Sequence, residues 1–566
     1  LVLGNALAAR FPDNAMIPNI LGVIYSGLRR YDEAVTSYNR AIELNPDYSE
    51  AHYNCGNALK KLAQYEGAIS YYNKVIELNP NYADVYNNLG NTYNQLNRYD
   101  EAIINLEKAL ELKSRYPEAH SNLGNALTEL RRYEEAIVNY NKAIELQPDF
   151  AEGYYNLGNA LNALGKYAEA QNSYNKAIEL QANFALAYNN LGNTLKSLGK
   201  HEEAISSYKK AIKLKIDYSE AYNNLGSLFS EIGYHDESII NFKKAIELQP
   251  DYSAAYNNLG IVCYDRRLSQ ESESSFNKAI IIRPDFSEGY YRLGLAYYAS
   301  KQFSAAAAQF ELTDFDKSKY YLLRCLYFLD QKTQFYDLLD RFIDQGEVNP
   351  MLGSLGCRSE LKYAIERPNL FCKDPLSYVL KINLNNEYDF EDIFVKPATT
   401  ILNPKRISER RQELLTNGVQ THGNIFELEP DLTKGIKEVI YLEVEKYKDY
   451  FKGSNEGFIK SWPNNYKLYG WLISMKSGGA LKPHMHENGW ISGSIYINVP
   501  SKGTADSGNL VVCIEDDQLA INGNKDESID VVTGSLCFFP ASLLHYTIPF
   551  ESKERRIVLA FDVIPE

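Results

Sequence analysis

Two histidines two residues apart, His484 and His486, lie in LKPHMHENGWISGSIYINVP, a stretch whose alternation reads as β-strand. On a strand, residues i and i+2 point to the same side, so the two imidazoles can chelate one metal ion. A third histidine, His545, follows in FFPASLLHYTIPF at the start of another strand. Arg556 comes eleven residues later, in ERRIVLAFDV. Imidazole does not discriminate strongly among transition metals, so a zinc site without turnover stays open beside a catalytic one.

The elements that must hold these residues are strands. From Tyr466 onward short alternating runs dominate: YKLYGWLISMK, GWISGSIYINV, GNLVVCIE, IDVVTGSLCFF and RRIVLAFDV, separated by Gly, Pro, Asn and Asp clusters. Several such strands predict a sandwich or barrel. The amphipathic segment DLTKGIKEVIYLEVEKYKDYF, residues 431–451, predicts a helix capped by Asp431 that covers one sheet.

The order H-x-H, distal His, then Arg resembles the 2-oxoglutarate-dependent iron(II) oxygenases. The wording, GGALKPHMHENGWISGSIYINVP with GSLCFFPASLLHYTIPFESKERRIVLAFDV, is similar to a branch of unassigned substrate that often follows tetratricopeptide repeats. The resemblance covers about residues 375–566. It implies a double-stranded β-helix (jelly-roll) fold using Fe(II), 2-oxoglutarate as cosubstrate and O2. It implies that His484, His486 and His545 bind the metal at the catalytic centre. It implies that Arg556, whose fork matches two oxygens, holds the far carboxylate of 2-oxoglutarate. Ser494, Tyr496 and Asn498 share one strand face and could help hold the cosubstrate or substrate, or satisfy one another. Trp490 is expected to pack. The departure is His486, which stands where most of the superfamily has a carboxylate. Glu487, expected to face the other way, or Glu515 or Asp516 beyond the GNLVVCIE strand, could supply an oxygen instead.

Ahead of this region, glycine recurs every 34 residues, from Gly22 through Gly158 and Gly192 to Gly294. In the unit AEGYYNLGNALNALGKYAEAQNSYNKAIELQ, apolar residues fall at helical spacing in two runs around a turn at Gly165–Lys166. Gly158 and Ala170 sit where two helices cross. Tyr31, Tyr65, Tyr99, Tyr133 and Tyr167 open the second helix, and proline marks unit junctions such as Pro46 and Pro148. The pattern resembles the tetratricopeptide repeat over roughly residues 12–312. His52, His120, His201 and His235 replace packing aromatics and read as structural. Asn54, Asn88, Asn122, Asn156, Asn190, Asn224 and Asn258 form a row on the first helices, with Asn57, Asn91, Asn125, Asn159 and Asn193 three residues on. These amides could pair with the backbone of an extended peptide, or bond to the neighbouring helix. The row is similar to the ladder of O-linked N-acetylglucosamine transferase.

The expected architecture is an all-α tetratricopeptide superhelix over residues 1–345, with degenerate closing helices at 312–345, a connector at 346–375 and the jelly roll at 376–566. A net charge of −14 over 566 residues argues against nucleic-acid binding. No apolar run is long enough to span a membrane. The seven scattered cysteines suit free thiols in a reducing cytoplasm. No signal peptide is visible, but the chain opens at Leu1 in mid-repeat, so that absence carries little weight. The leading expectation is a dioxygenase of hydroxylase type whose repeats recruit a protein or peptide substrate. A non-catalytic scaffold with a metal-binding or relic barrel is the alternative. A glycosylation accessory, suggested only by the asparagine row, ranks last.

Overall fold

In the computed structural model the described residues are 6–7, 10–315, 317–403, 409–410, 414–515 and 526–566. Two compact units divide the chain, Leu1–Gly289 and Tyr290–Glu566.

The first unit is a tetratricopeptide solenoid. From Ser49 to Ile282 each repeat joins a 13-residue helix to a 14-residue one, as in Ala151–Ala163 and Tyr167–Leu180. Second helices begin at Tyr31, Tyr65, Tyr99, Tyr133 and Tyr167, the positions that the period assigns to them. Gly158 faces the ring of Tyr174, where an added Cβ would meet a ring carbon at 2.7 Å. The Tyr174 hydroxyl donates to Asn159 Oδ1 at 2.7 Å, and Ala170 is fully buried beside it. The turn places one residue per repeat in the left-handed region: Gly165 at φ 71°, but also Ala63 at 56° and Asn97 at 57°. Arg131 and Arg267 take it too, at 59° and 58°, so the packing of the two helices imposes this conformation on ordinary side chains and glycine is not needed in every turn.

The second unit begins with the closing repeat helices, including Ser318–Phe328 and Lys332–Asp344. The stretch expected as a connector carries a helix, Pro350–Tyr363. Asn349 caps it by accepting from Met351 N at 2.8 Å, and Pro350 occupies the first turn, where a missing N–H costs nothing.

A mainly antiparallel β domain of jelly-roll type follows. Its strands are β1 (Leu380–Asn383), β2 (Glu409–Arg410), β3 (Leu415–Thr421), β4 (Tyr466–His484), β5 (Ile491–Asn498), β6 (Leu510–Cys513), β7 (Asp526–Ile529), β8 (Ser535–Pro540), β9 (Leu544–Thr547) and β10 (Arg556–Pro565). They run in the order β1-β8-β5-β10-β4-β9-β6-β7, with β3 against β4 and β2 against β3. The long β4 turns the corner. Tyr466–Met475 pairs with β10, Gly478 takes φ 72°, and Leu481 and His484 then pair with β9.

Alternation along the strands makes two faces. Leu468 and Leu472 of β4, Ile491 and Ile495 of β5, and Leu559, Phe561 and Val563 of β10 join one core with Ile436, Ile440, Val444 and Tyr447 of the Pro430–Tyr450 helix. Gly493 lets the Phe561 ring lie against its backbone. The intervening residues, Trp471, Ser494, Tyr496, Val558, Ala560 and Asp562, line a cavity instead. The covering helix is the expected one, but its N-cap is Glu429 and Pro430 follows, so Asp431 falls in the first turn rather than at the cap. Its charge there still favours the helix dipole.

Candidate metal centre

His484 ends β4 and lies directly across the ladder from His545 of β9. His486 follows in the loop to β5. The ring centroids are 4.2 Å apart for His484–His545, 4.7 Å for His486–His545 and 5.2 Å for His484–His486. One nitrogen from each ring lies within 4.8 Å of the others, a grouping that could hold a metal ion.

Hydrogen bonds settle which nitrogens face inward for two of the rings. His484 Nδ1 lies 2.9 Å from Lys482 O, a carbonyl that only accepts, so Nδ1 carries the hydrogen. His486 Nδ1 lies 2.6 Å from Asp562 Oδ1, which takes a further hydrogen bond from Ser492 Oγ at 2.7 Å. With both rings neutral, as a metal ligand requires, both Nε2 atoms present lone pairs, and they face each other at 3.3 Å. Two facing lone pairs repel unless a cation lies between them. Metal–nitrogen bonds of about 2.1 Å span such a gap at angles between a right angle and tetrahedral. The third ring, His545, is 4% exposed, and its Nδ1 is buried without a hydrogen-bond partner.

Burial, reinforced by His486, pushes His484 down to about 4. Burial, with both other histidines, pushes His545 down as well. Both are neutral at ordinary pH and need lose no proton to bind a cation.

The histidines open onto a cavity of about 600 Å³. Arg556 begins the face of β10 on which Val558, Ala560 and Asp562 line this cavity, but it is itself buried behind that lining, against Tyr496. It is 1% exposed and forms no ion pair among the described residues. Nη1 donates to Gly508 O, while Nε and Nη2 have no partner. The guanidinium carbon stands 5.0 Å from the Tyr496 ring centre. Burial lowers the Arg556 pKa and raises that of the Tyr496 hydroxyl, which stays a donor. A buried guanidinium with two orphaned donors fits an arriving carboxylate.

Ser494 and Tyr496 line the cavity, but Asn498 does not. The β5–β10 register shifts between Ile557 and Val558, and the Asn498 amide donates to Arg555 O at 2.5 Å. Glu487 borders the cavity but does not join the histidine cluster; it bonds instead to Tyr321 and Arg324. Glu515 does not join the histidine cluster, and Asp516 lies outside the described residues. Trp490 packs, with Nε1 donating to Phe458 O at 2.7 Å. The carboxylate at the site is Asp562, which motif spacing did not single out. Its signal was alternation: it lies six residues beyond Arg556 on the same strand face.

In the solenoid, the asparagine row is engaged between repeats. Asn54 donates to Asn19 (3.2 Å), Asn88 to Asn57 (3.0 Å), Asn122 to Asn87 (2.9 Å) and Asn156 to Asn125 (3.1 Å). Asn190 donates to Asn159 (2.9 Å), Asn224 to Asn189 (3.1 Å) and Asn258 to Asn223 (3.1 Å). Each amide thus ties its helix to the preceding repeat. His52 Nε2 bonds to Pro46 O at 2.8 Å and His120 Nδ1 to Asn139 Oδ1 at 3.0 Å, as structural histidines do.

Residues 469–562 match the family described as "Putative 2OG-Fe(II) oxygenase". Tetratricopeptide families match 28–63, 90–130 and 124–165, again 149–217 and 183–251, and also 71–104 and 49–82. No curated protein matches the chain. Among solved structures, YrrB, titled a tetratricopeptide protein with an unusual peptide-binding site, is 26% identical over 35% of this chain and 97% of its own, with a TM-score of 0.28. PilF of Pseudomonas aeruginosa is 19% identical over 37% of this chain and 96% of its own, at 0.34. A repeat protein of Parabacteroides merdae is 18% identical over 44% and 98%, at 0.38. The chain therefore carries tetratricopeptide repeats across its N-terminal region and, at its C-terminus, a domain matching that oxygenase family.

Proposed function

We propose that the C-terminal domain is a 2-oxoglutarate- and Fe(II)-dependent dioxygenase of hydroxylase type, and that the repeats present its protein or peptide substrate. The observation that carries this reading is the pair of facing Nε2 lone pairs, backed by a third imidazole, in a cavity whose strand also carries a buried, acceptor-less arginine. On this reading the solenoid through residue 345 holds the partner and residues 376–566 do the chemistry. Seven scattered cysteines with no C-x-x-C spacing favour a reducing compartment, the cytoplasm.

His484, His486 and His545 would hold Fe(II). With O2 and 2-oxoglutarate that ion supplies oxidation of a substrate C–H bond to C–OH, coupled to conversion of 2-oxoglutarate to succinate and CO2. Asp562 keeps the proton on His486 Nδ1 and the ring in place. Arg556 Nε and Nη2 would receive the far carboxylate, with the Tyr496 and Ser494 hydroxyls as further donors. Apolar walls, among them Val558, Ala560 and Trp471, keep water from the reacting carbon. Because the asparagine amides already donate at least one N–H to neighbours, the row would offer a peptide its acceptor oxygens, such as Asn54 and Asn156 Oδ1, together with the second N–H of those amides that donate only once.

An all-imidazole set favours one competing reading, a scaffold whose barrel binds metal without turnover. Anaerobic titration with Fe(II) and 2-oxoglutarate separates the two. The expected result is a visible iron-to-ketoacid band that requires both additions and disappears in His486→Ala. In Arg556→Ala, metal should be retained while 2-oxoglutarate binds at least about ten-fold more weakly. Iron retained without a band in the parent protein would favour the scaffold. No retention would end both metal readings.

A further inference from the structure

The five residues His484–Asn488 all border the cavity. His484 and His486 turn toward the histidine cluster, while Met485, Glu487 and Asn488 also reach residues of the closing helices. Met485 packs against the apolar cluster of the closing helices, around Leu323, Leu326 and Leu355. Glu487 accepts from the Tyr321 hydroxyl at 2.5 Å and pairs with Arg324. Asn488 accepts from Lys317 Nζ at 2.6 Å. Lys317, Tyr321 and Arg324 are spaced i, i+4, i+7, so they form one stripe along Ser318–Phe328. The tie is enclosed: the side chains of Arg324 and Glu487 are 16% and 28% exposed. The guanidinium is walled by Tyr298 at 5.0 Å and Tyr321 at 5.8 Å.

We infer that this stripe positions the metal-binding histidines, with Arg324 and Tyr321 acting through Glu487. The inference rests on the metal reading of the site proposed above. His486 lies in a loop rather than in the ladder, so no backbone pairing to a strand sets its place. Asp562 holds the ring from the cavity side. The backbone that carries the ring is held from the other side, by Met485 and Glu487 on either flank. A carboxylate next to a metal ligand is thereby kept out of the ligand set and used to anchor the loop. The pair is half-buried, and such a tie adds little net stability. The closing helix Ser318–Phe328 and the metal loop, both in the second unit, thus share one set of contacts, and the loop's geometry depends on that helix.

The test is Co(II) titration of the full chain, read by its visible d–d spectrum, for Arg324→Ala, Glu487→Gln, their double variant, Arg324→Lys and Tyr321→Phe. Removing either partner should weaken Co(II) binding about ten-fold and shift the bands. The double variant should be no weaker than the worse single variant, because both act through one contact. Arg324→Lys should recover part of the loss, and Tyr321→Phe, which keeps its packing, should lose less. Hydrogen–deuterium exchange of residues 482–490 in the metal-free protein is the second readout, with faster exchange expected in Arg324→Ala and Tyr321→Phe. Variants that melt earlier yet keep the parental affinity, spectrum and exchange would reduce the pair to a structural tie and overturn the inference. If the parent binds no Co(II), the metal reading fails. Exchange then decides by itself: a rise confined to 482–490 upholds the anchoring, and no change overturns it.

Discussion

The Nδ1 hydrogens of His484 and His486 have acceptors, Lys482 O and Asp562 Oδ1, and so each ring turns an Nε2 lone pair toward the other. Three neutral imidazoles leave the whole charge of a divalent cation uncompensated. Asp562 supplies the missing negative charge one ring away, through His486. Asp562→Asn keeps the volume but removes the charge, and its amide can present N–H to Nδ1. The expected outcome is a ten- to hundred-fold loss of metal affinity with the circular dichroism of the fold unchanged. Parental Co(II) affinity in that variant would show that Asp562 only packs. At this scale the grouping of the three histidines was legible, because H-x-H spacing is a local pattern, although only His484 lies on a strand and His486 falls in the loop after it. The carboxylate was not, because the spacing rule looked beside the histidine, whereas Asp562 reaches His486 from 76 residues away.

At the scale of elements, the 34-residue period was enough to place helix starts, since each unit repeats the same local packing problem. Gly192 lies against Tyr208, where an added Cβ would meet a ring carbon at 2.6 Å. Gly192→Ala gains about 1 kcal/mol of helix propensity. It also overpacks a helix crossing, which costs about 1–3 kcal/mol. The second effect should win, giving a lower urea midpoint; a higher one would mean that the Tyr208 ring moves aside freely. Other elements were not legible. Asp431 looked like a cap because it precedes an apolar run, but Pro430 fits the first turn better and moved the start back to Glu429. Asn498 looked like a cavity residue because alternation assumes an unbroken ladder, and the register shift at Ile557/Val558 breaks it.

For the molecule as a whole, a solenoid is held by neighbour-to-neighbour contacts, while a jelly roll is closed by strands distant in sequence. On the proposed reading, metal would bind where the three histidines converge. At a Co(II) concentration 100 times its dissociation constant, the native state of that unit should gain about 2.7 kcal/mol. Calorimetry should show one transition moving upward, that of Tyr290–Glu566, and the shift should vanish in His486→Ala. A shift that persists in that variant would place the metal elsewhere.

The amino-acid sequence by itself determined the repeat, its glycine and aromatic positions, and the order His484, His486, His545, Arg556, because period and spacing are properties of a line. Tertiary structure alone decided the rest. It assigned the asparagine amides to neighbouring repeats, removed Asn498 from the cavity and brought Asp562 to His486. It also set Arg324 against Glu487, 163 residues away. Those outcomes depend on strand register and on which surfaces meet when the chain closes, and neither is encoded in any local stretch.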